Sequence, residues 1–190
     1  SSAGAIISYL QESQKILSFK RITVLNQLSY MFLDASTKRN LELLENLKDG
    51  SVEGSLLWVL DETLTPMGGR FMRNAITKPL LSREDIMKRI EAVERLIVDY
   101  ELMEELRTTI RKIQDMERLT SRILRSSASP RDLIALKNSI EYLPRIKKAL
   151  STSSNDYIKE ISKTISELTE LKELIDFSII DNPPLNARDG

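Results

Sequence analysis

Apolar residues recur every three or four positions over almost the whole chain, and that period commits the backbone to helices. The longest such stripe is Leu133, Leu136, Ile140, Leu143, Ile146 and Leu150, close to a heptad. A second follows at Ile158, Ile161, Ile165, Leu168 and Ile175, after the short polar stretch 151–155. So short a connection predicts that the two stripes pack antiparallel, with Pro144 kinking the first by removing a hydrogen bond and crowding the preceding turn. Earlier stripes lie at Ile86, Ile90, Val93 and Ile97, and at Leu102, Leu106, Ile110 and Ile113. The expected fold class is all-α, an irregular multihelical domain with a long near-heptad helix pair.

Helix starts are legible from short polar side chains that accept from free backbone N–H groups. Asp34 opens a helix expected to carry Leu41, Leu43 and Leu44 as far as Asp49-Gly50. A short helix spans 55–61 around the single tryptophan, Trp58, which reads as a core anchor. Thr65-Pro66 and Ser129-Pro130 each place a cap before a proline in the first turn. Pro79 closes the first of these helices near Thr77. Ser82 with Asp85 resembles a capping box, and Asp115 caps a helix reaching about Arg125. Ala5, Ile6, Tyr9 and Leu10 form a stripe ending near Lys15, and Ile22 to Leu25 is the only strand candidate.

Several chemistries are excluded by what is missing. The 190 residues include no cysteine and no histidine, which removes disulfides, thiol nucleophiles, Cys- or His-ligated metals and Ser-His catalysis. Glycines at 4, 50, 54, 68, 69 and 190 have neither P-loop nor Gly-x-Gly spacing. No apolar run approaches the ~20 residues that span a bilayer, and residues Ser1 to Lys15 lack the basic start and continuous apolar stretch expected of a signal peptide. The default setting is cytoplasmic. Lysine plus arginine balance aspartate plus glutamate at 28 each, so overall charge gives no attraction to polyanions.

Three local features invite a sharper reading. Gly68-Gly69 beside Arg70 suits either anion capture at a helix start or close backbone packing, and packing is preferred. Arg107, Arg111, Lys112, Arg118, Arg122, Arg125 and Arg131 form a basic stretch interrupted only by Asp115 and Glu117. With no interleaved aromatics it reads as a salt-bridged face rather than a surface tracking DNA phosphates. The pairs Glu84-Asp85 and Glu104-Glu105 diverge on a helix and so cannot converge on a metal or substrate. No catalytic, cofactor-binding or metal residue is assigned.

Longer segments carry a resemblance. Ala3-Gly4-Ala5-Ile6-Ile7-Ser8-Tyr9-Leu10 with Gln14-Lys15, then Met31-Phe32-Leu33-Asp34 with Arg39-Asn40-Leu41-Glu42-Leu43, are similar to stretches of the MutS family of mismatch-repair ATPases. So are Gly54-Ser55-Leu56-Leu57-Trp58-Val59-Leu60-Asp61-Glu62-Thr63, Thr65-Pro66-Met67-Gly68-Gly69-Arg70 and Pro79-Leu80. Asp115-Met116-Glu117-Arg118-Leu119, Ala128-Ser129-Pro130-Arg131-Asp132-Leu133 and Asp181-Asn182-Pro183-Pro184 complete the pattern. Ala75 stands where that family usually has a tryptophan.

The resemblance implies that residues 1–20 are the terminal helix of a connector domain. Residues 21–190 would be the first segment of the helical core or lever domain, ending before the clamp insertion. It implies no enzyme activity in this segment, which would couple binding of mismatched DNA to an ATPase elsewhere. ATP and magnesium, a MutL-type partner and a homodimer then belong to the parent protein, whereas the segment itself is expected to be a monomer. The family's mismatch wedge, a phenylalanine two residues before a glutamate, is absent, since Phe19, Phe32, Phe71 and Phe177 precede Arg21, Asp34, Arg73 and Ile179. The rival expectation is a free-standing helical adaptor that binds partner helices through an exposed apolar groove.

Overall fold

The computed structural model describes Gly4, Tyr9 and residues 29–184. Apart from Gly4 and Tyr9, both helical, the expected helix up to Lys15, the strand candidate at Ile22 to Leu25 and the last six residues lie outside the described residues. Within them the chain is all-α, its only β pairing an isolated antiparallel bridge between Tyr30 and Leu80. Among the described residues from 29 to 184, ten helices run in order: α1 (Ala35–Asn40), α2 (Leu56–Leu60), α3 (Pro66–Thr77), α4 (Arg83–Val98), α5 (Tyr100–Ile110), α6 (Met116–Leu124), α7 (Pro130–Ile140), α8 (Leu143–Ser151), α9 (Asp156–Thr164) and α10 (Thr169–Ser178).

The caps sit where short polar residues predict them. Asp34 accepts from the Thr37 amide, Thr65 from Gly68, Ser82 from Asp85 and Asp115 from Arg118. The reciprocal capping box forms at Ser129 and Asp132, each side chain bonding the other's backbone N–H.

The near-heptad pair is antiparallel as expected, α8 packing on α9 and α7 on α10. Each arm is nevertheless two helices, not one. The first stops at Ile140, because Pro144 in the opening turn of α8 leaves the Ile140 carbonyl without an N–H to bond, and Glu141–Tyr142 form a turn. The second breaks between Thr164 and Thr169, where Leu168 adopts the left-handed conformation (φ 52°). Both interruptions line one cleft, with Glu141 and Tyr142 on one side and Glu167 and Thr169 on the other.

Two apolar cores result. Leu102, Leu106, Ile113, Ile146 and Ala149 form the first, between α5 and α8. Leu119, Leu136, Ile140 and Ile175 form the second, between α6, α7 and α10. Met116 and Leu143 pack against both. Ser139, fully buried, joins the elements by polar bonds, accepting from the Gln114 amide at 3.0 Å and donating to the Ala135 carbonyl at 2.8 Å.

Two expectations need correcting. Helix α1 ends at Asn40, so Leu41, Leu43 and Leu44 follow it in a turn-rich segment instead of lying on it. Asn46 holds that segment: its side chain donates to Ser51 Oγ and the Glu53 carbonyl and accepts from the Lys48 and Asp49 amides. Such local side-chain bonds compete with the helix ladder. Trp58 is 58% exposed and so is not the core anchor; the five-residue α2 turns Leu57 inward, its amide bonded to the carbonyl of the buried Leu43. The α4 stripe of Ile86, Ile90, Val93 and Ile97 faces outward, and the buried residue of α4 is Ala92.

Candidate functional site

Asp115, the N-cap of α6, ties that helix to α3. Its carboxylate caps α6 by accepting from the Arg118 amide at 3.2 Å. Arg70 reaches it from α3 with two parallel bonds, Nη1 to Oδ2 and Nη2 to Oδ1, both 2.8 Å. The same guanidinium binds Glu117, with Nε 2.9 Å from Oε2. A planar fork on a carboxylate is the strong form of ion pair. Arg70 therefore holds the Asp115 carboxyl well below the usual carboxylate range, at about 2, helped by the Arg118 amide and charge. Asp115 and Glu117 in turn raise the Arg70 pKa.

This geometry decides the Gly68-Gly69 question for packing. Arg70 is committed to α6 and so does not back an anion at the helix start. A Cβ on Gly68 would lie 3.0 Å from the Thr63 Cβ and 3.2 Å from the Thr65 hydroxyl. One on Gly69 would meet only ordinary contacts at 3.5 Å. Gly69→Ala is therefore expected to raise stability by up to about 1 kcal/mol through helix propensity, and Gly68→Ala to lower it. Chemical denaturation of the two variants checks the contrast, and equal shifts in the same direction would contradict it.

The basic stretch is spread over several partners. Arg118 lies 3.4 Å from Asp115 and Arg122 3.1 Å from Asp132. Arg131 donates to the Pro183 carbonyl, and Lys112 sits over the Tyr142 ring at 5.3 Å. Arg107, Arg111 and Arg125 make no ion pair with the described residues. Of the seven, then, only Arg118 and Arg122 are ion-paired among the described residues, each an exposed arginine on a more buried aspartate.

The acidic pairs also diverge. Glu84 binds Lys88 one turn on and Glu105 binds Arg145 on α8. Among the described residues no three acidic, histidine or cysteine side chains could hold a metal ion, and no helix is long and apolar enough to cross a membrane.

A second tie escaped sequence reasoning. Lys137, 7% exposed on α7, places its ammonium 2.9 Å from Asp176 of α10 and 3.0 Å from Asp181. Those hydrogen bonds raise the Lys137 pKa, and Lys137 lowers that of Asp176. Only a lysine standing among the apolar positions of the stripe hinted at it. Both hubs fasten helices together; neither presents a nucleophile or an acid–base pair to a ligand.

Residues 36–190 match the family model for MutS domain III. The chain is 42% identical over its whole length to the DNA mismatch repair protein MutS of Caldanaerobacter subterraneus subsp. tengcongensis, covering 22% of that protein. The same protein of Alkaliphilus oremlandii is also 42% identical, again over the whole chain and 22% of the relative. That of Halothermothrix orenii gives 42%, with 21% of the relative covered. The chain thus spans about a fifth of the length of the curated relatives it matches.

Proposed function

The chain belongs to the MutS family, whose domain III it carries, and from that premise we propose that it is the structural lever of a mismatch-repair ATPase. It couples the parts of a longer protein that engage mismatched duplex DNA to those that turn over nucleotide. Residues 21–190 supply the first segment of the lever, and residues 1–20 the last helix of the preceding connector domain. ATP, magnesium, a MutL-type partner and the homodimer contact belong to other parts of that protein, which works in the cytoplasm.

The observation that carries this reading is the pair of cores sharing Met116 and Leu143 and fastened at Asp115 and Lys137. A displacement imposed on one core reaches the other through packed side chains. Such coupling requires two global arrangements that both ends bias; separation alone is not allostery.

The test uses the intact protein with Leu136→Ala and Ile158→Ala, two buried positions on opposite arms, and the milder Ile158→Val. Mismatch-stimulated nucleotide exchange is expected to fall by about tenfold, inside the usual 5–150-fold range of allosteric couplings. Basal hydrolysis and mismatch binding should stay near normal. Unchanged stimulation in variants that keep native circular dichroism would sink the lever reading.

A further inference from the structure

Packing of α8 on α9 does something that neither helix shows alone. It collects Lys147 and Lys148 from one helix and Lys159 and Lys163 from the other around a single open groove of about 460 Å³. Glu167 is the one acid in the lining, and it already binds Lys147 at 3.1 Å. Lys159 has only a long 3.6 Å contact with the exposed Asp156. Lys148 and Lys163 make no ion pair with the described residues. Since the whole chain is charge-balanced, this excess is placed by the fold and not by composition. Four lysines line this groove with a single carboxylate among them, which leaves it net positive, and an anion bound there lowers the repulsion.

We propose that this groove holds backbone phosphates of duplex DNA. The proposal rests on the reading above, in which other parts of the longer protein engage duplex DNA, and adds to it a contact made by this chain. The chemistry of the lining selects the ligand. Lysine is a compact point charge that binds phosphate without demanding a fixed geometry. The Ser151 and Ser162 hydroxyls already donate to the Lys148 and Lys159 carbonyls, so the ammonium groups are the available donors. Pro144 is the one apolar side chain in the lining, and no aromatic is present. A protein partner would find no pocket for an anchor there, and an unstacked base no platform. The contact is therefore to the backbone and indifferent to sequence.

The experiment measures binding of matched and mismatched 40-base-pair duplexes to the intact protein over a range of salt. Removing Lys148 and Lys163 together, as Lys148→Gln with Lys163→Gln, is expected to flatten the slope of log K against log salt by about 2, near 0.9 for each phosphate no longer neutralised. Affinity for both duplexes should fall by the same factor. The equal charge change at Lys48 and Lys78, exposed lysines elsewhere, should leave the slope as it was.

An unchanged slope in a variant that still binds DNA overturns the groove and leaves the lever reading standing. So does an equal flattening in the Lys48/Lys78 control. Failure of the unsubstituted protein to bind either duplex overturns both readings. If a hexaglutamate peptide binds the protein, loses affinity in the Lys148/Lys163 variant and leaves the DNA slope untouched, the groove belongs to an acidic protein partner instead.

Discussion

Ile140→Ala is expected to cost about 3–4 kcal/mol, the upper part of the range for truncating a fully buried aliphatic side chain. Ile140 is 1% exposed and closes the second core with Leu119, Leu136 and Ile175. Its neighbours cannot collapse into the space it leaves. On one side lies the bond between Ser139 and the Gln114 amide, and on the other the turn before Pro144. Ile161→Ala is the control. It removes the same kind of residue from the facing stripe at a site 39% exposed, and should cost less than about 1 kcal/mol. Urea denaturation should move the midpoint strongly for Ile140→Ala and little for Ile161→Ala, with similar slopes. Similar midpoint shifts for the two would mean that burial does not divide the stripe as described.

The second large effect is expected at Asp115. Asp115→Ala removes the α6 cap, worth about 1 kcal/mol, and leaves two charge-assisted bonds from Arg70 without their acceptor. Together the destabilisation should be about 2–3 kcal/mol. Asp115→Asn keeps a capping oxygen and should show only part of that amount. The charge also sets a pH dependence. The Asp115 pKa is about 2 in the fold against an ordinary 3.8, so the folded state favours the ionised form. That stabilisation is complete above about pH 4 and disappears as pH falls from there to about 2, a contribution of up to about 2 kcal/mol. Between pH 5 and pH 2 the Asp115→Ala variant should lose less stability than the parent. An identical acid profile would show that Asp115 is not the group responsible.

Sequence and structure agree where the physics is local. The caps at Asp34, Thr65, Ser82, Asp115 and Ser129 need only the next turn of backbone, and all five form. The pairing of the two near-heptad arms also follows from their short connection. Burial does not follow in the same way. The Ile86-to-Ile97 stripe is as periodic as the one at Leu102 to Ile113, yet only the latter finds a core. Periodicity says that a face exists, and long-range packing decides what covers it. Trp58 stands exposed for that reason.

The ties at Arg70–Asp115 and Lys137–Asp176 join residues far apart in sequence, which no spacing rule connects. The lysine groove was hidden likewise, its cations divided between two helices. Leu168 gave no warning of a left-handed residue, because a branched aliphatic side chain is not expected there.

The breaks in the two arms, side by side at Glu141–Tyr142 and Ile165–Leu168, have a mechanical consequence. Bending an unbroken helix stretches its ladder of hydrogen bonds. At this level neither arm has a continuous ladder to stretch, so tilt between the halves concentrates there while each half stays rigid. Lys172–Glu141 and Lys147–Glu167 straddle the level from arm to arm, as exposed contacts that yield at little cost. The side chains of Met116 and Leu143, packed against both cores, are then what carries a displacement across the level that the backbone ladders do not span.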